Sequence, residues 1–531
     1  MEREMFRILV SDPLSPTGLE RLRAAPDVHV DAPGKVSRER LLEIIGDYDA
    51  LIIRSGTRVD AELLERAHRL KVIGRAGIGL DNVDLDRATA RGILVMNTPQ
   101  ANVIATAEQT MALILALCRH LPQAHASLAR GEWDRQRFLG IQLYHKRLGI
   151  IGFGRIGRQV AARAQAFGME VVAYDPYINE EVALEMKVRV VTLEELLQTA
   201  DIITVHTTLT PETRGMIGRE EIAMMKPGVR LVNCARGGII DEAALYEALQ
   251  SGHVAGAALD VYSVEPPVNN PLIGLPNVVH TPHLGASTVE AQRDVSTQIA
   301  DQVLKALRGE DYRNAVNLPF VAGPGFAQLR PYLELAEKMG RLLALLAPGR
   351  IRRVEVEVKG EEVAGQVKPL TIALLKGLLS PFLGEVVNYI NAPLLATERG
   401  IALSQTRGLE TPDYPNLIAC RAVGNEGEQQ IAGTLFSRHE PHIVQVGSYR
   451  LDFCPEGTLL VMQSRDIPGV IGRVGTILGD HQINIAEWRT GRTAPGGEAF
   501  SVITLDEAAP DAVLAAIEAL PQVRTVRQIT L

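Results

Sequence analysis

The run Gly152-Phe-Gly154-Arg-Ile-Gly157 constrains the fold of this chain more than any other feature, because it separates segments of different period. Before it, Arg147-Leu-Gly-Ile-Ile151 is a short β-branched run that reads as a buried strand. After it, Arg158 to Phe167 has helical spacing. A strand that turns this abruptly into a helix belongs to a βαβ unit, and such units build parallel sheets with helices on both faces. The first glycine permits the tight turn, the second lets a pyrophosphate approach the backbone, and the third lets the helix pack on the strand. A bare glycine pattern is weak, since such a turn can bind nothing. Here Asp175 ends the next predicted strand, Glu170-Val-Val-Ala-Tyr174, where a carboxylate accepts from a ribose 2′-hydroxyl and repels a 2′-phosphate. The spacing predicts a dinucleotide site, with NAD favoured over NADP.

The same alternation runs through the first 315 residues. Arg7-Ile-Leu-Val-Ser11, Ala50-Leu-Ile-Ile-Arg54, Lys71-Val-Ile-Gly-Arg75 and Ile93-Leu-Val-Met-Asn97 read as buried strands, with amphipathic stretches over 37–45 and 61–67 between them. Asp201-Ile-Ile-Thr-Val205, Arg230-Leu-Val-Asn233 and Ala255-Gly-Ala-Ala-Leu259 continue the pattern after the glycine turn. The fold class expected is α/β, with two doubly wound parallel-sheet domains of Rossmann or flavodoxin type. Thr98-Pro99 marks the crossing between them. A helix over 288–307 is expected to return the chain to the first, giving a discontinuous domain of 1–98 plus 287–315 and a nucleotide domain of 99–286.

Pro319 and Ala322-Gly-Pro-Gly-Phe326 read as a linker, and Arg352 to Val358 alternates as a half-exposed strand. An α+β domain is expected over 320–454. Residues 457–531 read as βαββαβ, a ferredoxin-like unit whose topology alone names no function.

At 531 residues the chain is too long for one core. A net charge of −8 without a Lys/Arg run makes a nucleic-acid partner unexpected. No apolar run approaches the length of a membrane span, and Met1-Glu-Arg-Glu-Met5 does not look like a signal peptide. Cys118, Cys234, Cys420 and Cys454 are scattered, with neither metal-like nor disulfide-framework spacing, so a cytoplasmic protein without a metal is expected.

Three later segments carry chemistry. Arg236, in Asn233-Cys-Ala-Arg-Gly-Gly238, follows a strand at its carboxyl end, where open α/β sheets bind ligands. A guanidinium there can grip a carboxylate with two parallel hydrogen bonds. His283, in Pro282-His-Leu-Gly-Ala-Ser287, can exchange a hydroxyl proton near neutrality. Glu265, in the loop Glu265-Pro-Pro267, can orient the other ring nitrogen. Any one of these is ordinary. Their order behind a dinucleotide turn predicts hydride exchange at C2 of a 2-hydroxy or 2-keto acid.

These motifs, with Arg54-Ser55, Gly74-Arg-Ala-Gly-Ile-Gly79, Asp81-Asn-Val-Asp84, Asn97-Thr-Pro99 and Ala258-Leu-Asp-Val261, resemble the D-isomer-specific 2-hydroxyacid dehydrogenase family over the first 315 residues. Asn391-Ala-Pro-Leu-Leu-Ala396, Glu398-Arg-Gly400 and Arg465-Asp-Ile-Pro-Gly-Val470 resemble the intervening and ACT domains of its long form. The resemblance implies NAD-dependent oxidation of 3-phosphoglycerate to 3-phosphohydroxypyruvate, the entry to serine synthesis. It makes Arg236 the carboxylate anchor, His283 the acid/base and Glu265 its partner. Arg54 and Arg75 become phosphate-binding cations, with Arg135 from a partner subunit. NAD is placed near Arg155, Ile156, Asp175, Thr207, Cys234, Asp260 and Gly285. A homodimer or homotetramer is implied, with L-serine as an effector at Asp466 and Asn484. Ser464 stands where some serine-inhibited members carry tyrosine, so an ACT domain used purely for assembly stays open. Two other readings remain: a glyoxylate/hydroxypyruvate reductase, disfavoured by the long tail, and a non-catalytic NAD-sensing regulator on the same fold.

Overall fold

The computed structural model describes residues 5–321, 326–408, 413–437 and 439–531. The expected linker run at 322–325 and the first four residues lie outside the described residues.

The first sheet holds β1 (Phe6–Val10), β2 (Val28–Asp31), β3 (Ala50–Ile53), β4 (Val72–Arg75) and β5 (Leu94–Met96), all parallel, in the order β2-β1-β3-β4-β5. Every residue of β3 is buried, as a central strand covered on both faces requires. The edge strand β2 is absent from the sequence reading because its residues are only half-buried and carry no apolar run. The long helix Val289–Leu307, capped by the Thr288 side chain, packs on this sheet through Val295, Ile299 and Val303. Gly74 makes the approach possible, since a Cβ there would stand 2.6 Å from Val303.

The second sheet is formed by β6 (Arg147–Ile151), β7 (Glu170–Tyr174), β8 (Arg189–Val190), β9 (Ile202–Val205), β10 (Val229–Asn233), β11 (Val254–Leu259) and β12 (Val278–His280). Its order, β12-β11-β10-β9-β6-β7-β8, reverses between β6 and β9, so a crevice opens at the carboxyl ends of those strands. The helix Val103–Arg119 lies in the core on one face, with Met111, Ile114 and Leu117 buried.

The third sheet is mixed: β13 (Ile351–Lys359) pairs parallel with β14 (Ala402–Gly408). It also pairs antiparallel with β15 (Leu417–Gly424), followed by β16 (Glu428–Phe436), β17 (Glu440–Val446) and β18 (Tyr449–Phe453). The helices Phe326–Leu346 and Val367–Leu383 cover it. The last sheet is antiparallel, in the order β20-β21-β19-β22, from β19 (Thr458–Arg465), β20 (Ile485–Arg492), β21 (Glu498–Leu505) and β22 (Val523–Thr530). This is the ferredoxin-like arrangement. Because β19 is apolar at successive positions, both of its faces are buried. Leu460 and Met462 meet the unit's own helices, while Leu459 and Val461 join the core of the third sheet. Among the described residues no helix is long and apolar enough to cross a membrane.

Candidate active site

The carboxyl ends of β4, β6, β9 and β10 open onto one cleft of about 770 Å³ between the first two sheets. On its nucleotide side, Gly152 has φ +94°, and a Cβ there would lie 2.7 Å from the His206 carbonyl carbon. Gly157 is pressed to the strand, with only 2.3 Å for a Cβ before the Gly152 carbonyl oxygen. A Cβ at Gly154 would meet none of the described atoms within 4 Å, so that side of the backbone that begins the helix Arg155–Ala166 is open to a ligand. A helix N-terminus with free N–H groups favours a phosphate. Asp175 braces the turn: its Oδ2 accepts from the Phe153 amide at 2.9 Å and its Oδ1 from the Tyr177 amide at 2.9 Å.

Beside the turn, His206 and Thr207 line the cleft, and His206 Nδ1 and Thr207 Oγ1 are buried without partners among the described residues. Orphaned polar atoms facing a cleft next to a glycine turn fit a dinucleotide, whose hydroxyls and phosphates would satisfy them. His206 is missing from the sequence reading; its position just past β9, as Arg236 lies just past β10, was the available signal. Burial pushes His206 from 6.5 down to about 4. The unfolded chain therefore takes up this proton at higher pH than the folded one. Stability is unaffected above pH 6.5 and falls as the pH drops from there towards 4. We expect His206→Asn to remove on the order of 2–3 kcal/mol of that acid sensitivity. Thermal unfolding at pH 7 and pH 4.5 checks this; equal losses in parent and variant would refute it.

The acid-binding side is more tightly built. Asn233 folds its loop back, donating from Nδ2 to the Arg236 carbonyl oxygen at 2.9 Å and accepting the Ala235 amide at 3.0 Å. Gly237 is obligatory, because a Cβ there would fall 1.9 Å from the Tyr262 carbonyl oxygen. Arg236 donates from Nε to Asp81 Oδ2 at 2.9 Å and from Nη1 to the Ala235 carbonyl at 2.7 Å. Arg54 and Arg75 line the same cleft, and among the described residues neither is in a salt bridge. Burial, then repulsion from Arg236 and Arg54, pulls Arg75 down to about 10, against the partial opposition of Asp81 and Asp12. Its Nε is buried without a partner among the described residues. Such a group lacks an anion.

His283 sits in the left-handed region (φ +57°), its Nδ1 2.7 Å from Glu265 Oε2. Burial raises the Glu265 carboxyl, but the hydrogen bond and charge of His283, the Tyr262 amide and Arg236 together bring it below its usual value of 4.5. The carboxylate is thus ionised at neutral pH, and its support for the pair is lost only as the pH falls below that value. An ionised Glu265 makes Nδ1 the protonated nitrogen and leaves Nε2 to exchange a proton.

Asp260, expected beside the nucleotide, is fully buried and is not itself among the residues lining the cleft. Its Oδ1 accepts from Thr281 Oγ1 and the Leu284 amide, and its Oδ2 from the Gly285 amide, at 2.6–2.8 Å. Asp260 therefore stands behind the His283 loop and holds it in place.

Of the other expected residues, Arg155, Ile156, Thr207, Cys234 and Gly285 line the cleft. Burial pushes the Cys234 thiol up to about 12, with Thr110 lowering and Asp260 raising it. Arg135 is exposed and does not line the cleft. Asp466 and Asn484 are not brought together: β19 and β20 run parallel on either side of β21, so the end of β19 and the start of β20 are opposite ends of the sheet. Asp466 binds Arg492, and Asn484 binds Asp506.

Residues 111–285 match the D-isomer specific 2-hydroxyacid dehydrogenase, NAD binding domain. A nucleotide turn and a histidine–carboxylate pair on one sheet edge therefore belong to an NAD-dependent oxidoreductase of that class. Residues 328–447 match the D-3-phosphoglycerate dehydrogenase intervening domain, and 458–522 the ACT domain. A D-3-phosphoglycerate dehydrogenase of Methanocaldococcus jannaschii is 47% identical over 528 residues, covering 99% of this chain and 100% of that one. The corresponding enzyme of Bacillus subtilis is 44% identical over 527 residues, with 99% and 100% covered. Among solved structures, a D-lactate dehydrogenase from Aquifex aeolicus complexed with NAD and lactic acid is 30% identical, with a TM-score of 0.53, covering 57% of this chain and 96% of that one. The chain belongs to the D-3-phosphoglycerate dehydrogenase family.

Proposed function

We propose that this protein oxidises 3-phosphoglycerate to 3-phosphohydroxypyruvate, the first step of phosphorylated serine synthesis, in the cytoplasm. The observation that carries this reading is the placement of Arg54 and Arg75, two guanidiniums in no salt bridge among the described residues, in the cleft that holds Arg236 and the His283–Glu265 pair. NAD, bound along the glycine turn, supplies the hydride acceptor. Gly152, Gly154 and Gly157 shape its phosphate seat, and Asp175 both braces that seat and selects the unphosphorylated ribose. Arg155, Ile156, Thr207, Cys234 and Gly285 complete the wall. Arg236 fixes the substrate carboxylate, Arg54 and Arg75 neutralise its phosphate, and Arg135 reaches the phosphate from a partner subunit. His283 Nε2 takes the C2 hydroxyl proton as the hydride departs, and Glu265 stabilises the imidazolium that results.

The domain division that fits this reading is 1–98 plus 287–315 for substrate, 99–286 for NAD, 320–454 for the intervening unit and 457–531 for ACT. An L-serine effector touching both Asp466 and Asn484 would have to take them from two copies of the last sheet, which favours a homodimer or homotetramer.

Arg75→Ala should raise KM for 3-phosphoglycerate on the order of tenfold or more, but KM for D-lactate or glycerate by no more than about twofold. Steady-state kinetics on the three acids provides the check. Equal rises for phosphorylated and unphosphorylated substrates would remove the phosphate from the proposal.

A further inference from the structure

Asp81 has no part in the reaction as described, yet it holds the guanidinium on which substrate recognition depends. The contact joins the loop after β4 to the loop after β10, so it crosses the cleft between the first two sheets. Arginine carries five N–H donors. Asp81 takes Nε–H and the Ala235 carbonyl takes one Nη1–H, leaving the end fork of Nη1 and Nη2 free to grip a carboxylate side by side.

An exposed ion pair is usually worth little, and Asp81 is 57% exposed. The surroundings show that this pair is built. Gly79 leaves the space that Nη2 occupies: a Cβ there would lie 1.8 Å from Nη2 and 2.9 Å from Asp81 Oδ2. The next residue, Asn82, pins the Asp81 loop by donating to the Arg54 carbonyl at 2.7 Å and the Thr57 carbonyl at 2.5 Å. The acceptor is thus fixed to the same backbone that presents Arg54. Four guanidiniums line the cleft, Arg54, Arg75, Arg155 and Arg236, and Asp81 is the carboxylate paired to the last of them.

We propose that Asp81 is a positioning residue that aims Arg236 at the substrate carboxylate from across the cleft, with Gly79 providing the space for it. The proposal rests on Arg236 being the carboxylate anchor. Asp81→Ala should raise KM for 3-phosphoglycerate on the order of tenfold, with a smaller fall in kcat and with Kd for NAD alone within about twofold of the parent. Gly79→Ala, which keeps the carboxylate but crowds Nη2, should give the same KM rise. Asp81→Asn, which keeps an acceptor for Nε, should lie between parent and alanine variant.

The decisive measurement is a cycle with Arg236→Lys, whose ammonium has no Nε–H to be held. In that background Asp81→Ala should add nothing. An equal further loss there, or Asp81→Ala and Gly79→Ala both within about twofold of the parent, would overturn the proposal. Should Asp81→Ala lose NAD affinity, Gly79→Ala and Asp81→Asn carry the same test. A fully active Arg236→Lys would instead refute the anchor role, leaving the two failures distinguishable.

Discussion

Replacement of His283 by alanine should lower kcat for 3-phosphoglycerate oxidation by about 10²–10⁴-fold while leaving the affinity for NAD nearly unchanged. The magnitude follows from losing a positioned base at the moment the hydroxyl proton must leave. The selectivity follows from geometry. His283 is held by Asp260 through its own amide and those of Leu284 and Gly285, whereas the nucleotide turn is braced separately by Asp175. Glu265→Gln should cost less, because the ring keeps a hydrogen-bonding neighbour but loses the negative charge that stabilises its protonated form. Rapid-mixing or steady-state turnover, together with nucleotide titration, reads both effects. An alanine variant that keeps more than about a tenth of the parental kcat would falsify the acid/base role.

Arg236→Ala should lower kcat/KM by about 10²–10³-fold, since two charge-assisted hydrogen bonds to the substrate carboxylate disappear together. Unlike the loss at Arg75, this one should strike phosphorylated and unphosphorylated acids alike, because every 2-hydroxy acid presents a carboxylate. The variant also leaves Asp81 without its salt-bridge partner beside the substrate site. Kinetics with glycerate and with 3-phosphoglycerate separate the two arginines. A carboxylate anchor that affected only the phosphorylated acid would be wrongly assigned.

Much of this architecture was legible in the chain. Fully buried parallel strands such as β3 announce themselves as short β-branched runs, and the glycine turn with Asp175 announces its ligand class. Arg236 and His283 were readable because each follows a strand whose carboxyl end must face the crevice. Strands β2 and β8 were not readable: one is half-buried, the other has two residues, and neither needs an apolar pattern. His206 was passed over although it too directly follows a crevice-facing strand, because no motif around it marks it out. The loop-bracing contacts of Asp260 were not readable, because an acid at a strand end can turn towards a ligand or towards the next loop; here it accepts from the amides of Leu284 and Gly285.

By itself, the sequence determined the chemistry and its units, because each motif is a strand–loop segment whose conformation is local. Only the tertiary structure decided how the units face one another. It set the 2.9 Å contact of Arg236 with Asp81, which are 155 residues apart, the gathering of Arg54 and Arg75 into the same cleft, and the separation of Asp466 from Asn484. Such contacts depend on how whole sheets pack. That packing is fixed by glycines, buried faces and a returning helix spread over hundreds of residues, which no local pattern records.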